Sequence, residues 1–170
     1  YWWPDPENPG DPYIRKDGQT NPDNFVAHRH AMIRFSQVIG ALAGGYLLTE
    51  EPKYVEQAQK HFSAWFVDQE TKMNPSLLYA QAIQGRHTGR GIGIIDMIQM
   101  MEVARGIKAM ETRLPQEQVE AYKSWFSEYL TWVNTHPYGI DERDTKNNHA
   151  TCWVMQVACF ADLVGNASIL

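Results

Sequence analysis

Residues 91–110 distribute Ile92, Ile94, Ile95, Met97, Ile98, Met100, Met101, Val103, Ala104, Ile107 and Met110 around nearly the whole circumference of a 3.6-residue helix. A helix that is apolar on all sides needs neighbours on most of them, so this segment must lie inside the fold. Segments 31–48 and 150–164 come close to the same pattern. Two other segments differ. Residues 115–134 carry Val119, Tyr122, Phe126, Tyr129 and Val133 at three- and four-residue spacing, with Glu117, Glu120, Lys123 and Glu128 between them. Residues 52–68 repeat the arrangement with Val55, Ala58, Phe62, Trp65 and Phe66. Each of these has one apolar stripe and one wet face.

Five helices are expected, over about 25–48, 52–68, 91–112, 115–134 and 149–164, with Asn24 as an N-cap and Pro52 and Pro115 in first turns. The buried and amphipathic kinds alternate along the chain, which is what an inner ring of helices wrapped by an outer ring requires. The fold class that follows is all-α, a partial α/α toroid, with a bundle or solenoid as the structural alternative. No short-period repeat favours a solenoid. The first two dozen residues hold Pro4, Pro6, Pro9, Gly10, Pro12, Gly18 and Pro22, which block regular helix or strand, so residues 1–23 read as an extended arm packed on the body 24–170.

The 170 residues, 44% hydrophobic and 12% aromatic, are enough for one core or part of one. A formal charge of −5 and a pI near 5.6 exclude general nucleic-acid binding, which needs a basic surface. No segment is expected to span a bilayer. Cys152 and Cys159 are two turns apart on one helix, too far to pair, and read as small core residues.

Connector lengths place the candidate site. The inner-to-outer links, Thr49-Glu50-Glu51 and Arg113-Leu114, are tight, whereas the outer-to-inner links run from about 69 to 90 and from about 135 to 148. In up-down packing the long links share one end, and function gathers on long loops over a rigid scaffold. The first long link holds Gln81, Arg86, His87 and Arg90; the second holds His136, Tyr138, Arg143, Lys146 and Asn147-Asn148-His149. A locally basic rim on an acidic protein suits a polyanion.

Each of these residues has two readings. Asn147 or Asn148 either caps the last helix or presents an amide to a ligand; Arg86 and Arg90 are either ion-paired or placed for an anion at a helix start. His87 is either a ligand contact or a loop hydrogen-bonding group. Trp2, Trp3 and Tyr13 either anchor the arm or stack on sugar rings. His28 and His30 face different ways on a helix and do not suit a metal. Gly89-Arg90-Gly91-Ile92-Gly93 lacks the preceding strand of a nucleotide-binding loop.

Several stretches, taken in order, are similar to the alginate lyase superfamily of polysaccharide lyases: Tyr1-Trp2-Trp3-Pro4-Asp5-Pro6, Pro12 to Gly18, Asn21-Pro22, Met73-Asn74-Pro75, Tyr79-Ala80-Gln81-Ala82, Thr88 to Asp96 and Asn147-Asn148-His149. The resemblance covers nearly the whole chain and implies an incomplete α/α toroid. It also implies β-elimination on a uronic-acid polymer such as alginate, without a metal or redox cofactor, in the periplasm or outside the cell. Asn148 would neutralise the carboxylate at C5, and His149 would take part in proton abstraction. Gln81, Arg86, His87, Arg90 and Lys146 would contact the substrate.

Family members also use an Arg and a Tyr beyond the Asn-His motif, and no Arg or Tyr follows His149 here. The chain is therefore expected to be the N-terminal part of a longer lyase, with an inner-helix flank that promotes self-association when isolated. A non-catalytic module holding an acidic glycan and a glycoside hydrolase on the same scaffold are the competing readings. The hydrolase would need two placed carboxylates from Asp68, Glu70, Asp141, Glu142 and Asp144.

Overall fold

The computed structural model describes residues 1–169. Among the described residues six α-helices carry the fold: α1 (Ala27–Thr49), α2 (Pro52–Phe66), α3 (Met100–Met110), α4 (Gln116–Thr135), α5 (Pro137–Arg143) and α6 (Asn148–Val164). A 3-10 stretch, Gly91–Gln99, leads into α3, and a shorter one, Glu111–Arg113, follows it. α1 packs on α2 and on α3, α6 packs on α3 and on α4, and α2 touches α4. The inner layer is thus α1, α3 and α6, and the outer layer is α2 and α4, an arc of the expected all-α toroid.

The core joins the layers through aromatics. Phe62 and Phe66 of α2 meet Tyr122, Trp125 and Phe126 of α4, and Phe126 and Tyr129 meet Phe160 of α6. Trp125 and Leu130 are buried as well, so the stripe of α4 is wider than the expected five positions. Burying side chains of this size contributes about 1.5–3 kcal/mol each. Between α1 and α3, Gly106 lets the helices close: a Cβ there would lie 2.5 Å from Ile39 Cγ2.

Several expectations need correction. α1 starts at Ala27 behind Val26, and Asn24 is not its cap; its side-chain oxygen accepts from Asn21 Nδ2 instead. Pro115 stands before α4 rather than in its first turn, while Pro52 does open α2. Gly91–Gln99 is 3-10 helix, because apolar periodicity cannot tell a 3-10 winding from an α one. The link 135–148 contains α5, started by Pro137 behind His136, whose Nδ1 accepts from the backbone N–H of Tyr138. The arm also makes one short antiparallel ladder, Trp2 opposite Arg15 and Trp3 opposite Ile14, at positions free of its prolines.

α1 is long and apolar enough to cross a membrane by length and composition, contrary to expectation. Met32, Phe35, Ile39 and Ala43 are nevertheless buried in the protein core, as an inner-layer helix requires. Cys152 and Cys159 are unpaired and half-buried, and burial pushes the Cys159 thiol up. Val154 (57% exposed) and Met155 (48%) leave an apolar strip on α6 open to solvent.

Candidate active site at the long-loop rim

The two long links meet. Tyr138 of α5 donates its hydroxyl to Gly89 O at 2.9 Å, and the backbone of the same residue lies against Gly91. α5 and α6 both pack on the 3-10 stretch that follows Arg90. Two glycines permit close packing within each link. A Cβ on Gly89 would sit 1.7 Å from Leu78 O, and one on Gly139 would sit 1.9 Å from Val133 O.

In the first link the two arginines are held by the protein. Arg90 donates through Nε to Gln81 O at 3.0 Å and through Nη2 to Gln81 Oε1 at 3.1 Å, and burial pulls its pKa down. Gln81 adopts φ 51°, a left-handed conformation costly for a side chain of this kind, and the Arg90 fork holds it there. Asp96 extends the chain of contacts, accepting from Gln81 Nε2 at 3.5 Å and from Arg29 Nε at 3.0 Å.

Arg86 lies over the Trp2 ring, 5.3 Å from its centroid, and donates to Tyr13 O. Tyr13 N in turn donates to Gln84 O at 3.1 Å, and Trp3 Nε1 to Gln19 O at 3.2 Å. The arm aromatics therefore anchor the arm, and the arm braces the loop. His87 is exposed and bridges to Ile83 through its backbone.

The second link is arranged the other way. Asn147 is the N-cap of α6, its Oδ1 accepting from His149 N at 2.8 Å. Asn148 is exposed and its amide meets no hydrogen-bond partner among the described residues. His149 Nδ1 lies 2.6 Å from Glu142 Oε1, with the histidine side chain 24% exposed and the glutamate 1%. Lys146 is exposed beside them, while Arg143 pairs with its neighbour Asp144 at 2.7 Å. The alternatives left open by the triplet are thereby divided: Asn147 caps, and Asn148 is available. This end of α6 offers amide donors and the positive end of a helix dipole to an anion, with an imidazole alongside.

A family profile for alginate lyases matches residues 1–170. The chain belongs to the alginate lyase family. A crystal structure of an alginate lyase from Bacteroides ovatus superposes with a TM-score of 0.89 at 36% identity. The match covers 99% of this chain and 46% of that one, so the chain spans about half the length of that alginate lyase. Among curated proteins no match was found.

Sequence reasoning overlooked Glu142 as the partner of His149 and the Arg29–Asp96 pair that ties α1 to the 3-10 stretch. His136-Pro137, a cap residue followed by a first-turn proline, was the available sign of a helix in the second link.

Proposed function

We propose that the chain supplies part of the active site of a polysaccharide lyase that cleaves alginate or a related polyuronate by β-elimination. The observation that carries this reading is the division of labour at the mouth of α6. Asn147 spends its side chain on the cap, which leaves the Asn148 amide beside a half-buried imidazole.

In elimination the C5–H bond breaks, its electron pair becomes the C4–C5 double bond, and the C4–O4 bond breaks with its pair on O4, which takes up a proton, a role that the family resemblance gives to a Tyr beyond the Asn-His motif. The developing charge delocalises onto the C5 carboxylate, so the carboxylate has to be neutralised for the proton to leave. In this reading Asn148 donates to that carboxylate, and His149 accepts the C5 proton. Lys146 and His87 are exposed for contact with neighbouring uronates; Arg86, Arg90 and Gln81 shape the first link that faces them. A polymeric anion of this kind places the protein in the periplasm or outside the cell.

The carboxylates do not favour a hydrolase. Glu142 is buried against His149, Asp144 is paired with Arg143, and Asp68 Oδ1 accepts from Glu70 N.

The test is incubation of the full-length protein, with the rest of its active site present, with alginate, polymannuronate, polyguluronate and glucuronan while following far-ultraviolet absorbance of the unsaturated product. New absorbance is expected, and His149→Ala is expected to remove it by a factor of about 10²–10⁴ while the helical circular dichroism persists. New reducing ends without absorbance would replace the lyase reading with hydrolysis.

A further inference from the structure

Glu142 is the one buried charged side chain among the described residues, and nothing in the elimination chemistry calls for it directly. Its place is fixed by α5. Pro137 and the His136 cap start that helix, Gly139 seats it against Val133 O, and Tyr138 ties it to Gly89. A buried carboxylate needs donors, because its desolvation is otherwise uncompensated.

The Tyr129 and Gln156 donors are committed elsewhere. The Tyr129 hydroxyl donates to Gln156 Oε1 at 2.9 Å, and Gln156 Nε2 donates to Ile94 O and Cys152 O, both at 3.2 Å. His149 is the side chain that hydrogen-bonds the Glu142 carboxylate among the described residues. Burial pushes the Glu142 carboxyl up and the His149 contact draws it back, while burial, and then the charge of Glu142, keep Tyr129 protonated.

We propose that Glu142 is a positioning residue whose carboxylate accepts from His149 Nδ1–H, fixing the tautomer in which Nε2, across the ring, carries the lone pair that receives the substrate proton. An ionised carboxylate has no proton to give, so Nδ1 must carry the hydrogen. The same contact then stabilises the imidazolium formed after abstraction. Its consequence for turnover rests on the lyase reading above; the tautomer is a property of the resting protein.

The test separates the two. Histidine-labelled protein is examined by long-range proton–nitrogen correlation above the imidazole titration range, with His149→Gln identifying the resonance. The expected result is a protonated Nδ1 and a bare Nε2. In Glu142→Met, which offers no acceptor, His149 should move toward the Nε2–H form. A wild-type His149 that carries its proton on Nε2, or that averages like exposed His87 and does not respond to Glu142→Met, overturns the proposal even if every Glu142 variant fails to fold.

In turnover, Glu142→Gln should lower kcat about 10- to 100-fold, below the full loss expected for the base itself, with KM within about twofold. A KM-only effect would refute the positioning role. Absence of unsaturated product from the full-length wild type would sink the lyase reading and leave the resonance experiment to decide the tautomer.

Discussion

The two long connectors that form the rim are built on opposite plans. The link before the 3-10 stretch is irregular backbone, held by spending its polar side chains: Arg90 on Gln81, Gln81 on Asp96, Arg86 on Trp2 and Tyr13. The link before α6 is braced by a short helix, by glycine contacts and by one capping asparagine, so Asn148 and Lys146 stay unspent. Beside its backbone turns the irregular link uses Arg86 and Arg90 to satisfy the carbonyls of Tyr13 and Gln81, and side chains held in this way are less free as ligands. A loop stiffened by a helical turn can leave them for chemistry.

The sharpest way to break this contrast is Asn148→Ala. Turnover should fall about 10²–10³-fold, with little change in melting temperature. A large loss of stability instead would make Asn148 a scaffold residue like Gln81. Gly139→Ala comes next: the new methyl meets Val133 O, so thermal denaturation should show about 1–3 kcal/mol of destabilisation, and activity should fall as α5 shifts. Unchanged stability would show that α5 is not fixed by that contact.

Arg90→Lys keeps the charge but loses the fork, and it should cost about 1–2 kcal/mol of stability, or about 2–8 °C in Tm. If it raised KM with no change in Tm, Arg90 would belong with the ligand-facing residues.

The pH dependence is a smaller effect. The folded carboxyl of Glu142 is raised above its ordinary 4.5, so its contribution to stability is greatest below that value and is lost as pH rises through the folded pKa. Glu142→Gln should flatten the fall in denaturant-measured stability between mildly acidic and neutral pH; an unchanged slope would contradict the assignment. Smallest of all, Lys146→Ala should raise KM for a polyuronate by a few-fold at low salt, vanish at high salt, and leave stability within about 0.5 kcal/mol.

Legibility followed the same division. The inner and outer helices were readable because burial on all sides and burial on one side leave different periodicities, as 91–110 and 115–134 show. The common mouth followed from link lengths. What escaped reading was local and steric: α5 is only seven residues, too short for a periodic signal, and the 3-10 winding of Gly91–Gln99 has the same apolar content as an α-helix. Arg86 and Arg90 read as ligand residues because composition records their charge and not their hydrogen-bond partners.

Chain order and side-chain type by themselves determined the layers, the shared end of the two links and the asparagine–histidine pair, since each follows from spacing along one strand of sequence. Only the tertiary structure decided which asparagine caps, which arginines are consumed, and that Glu142 stands behind His149. Those depend on contacts of a few ångströms between segments, and spacing along the chain carries no record of such distances.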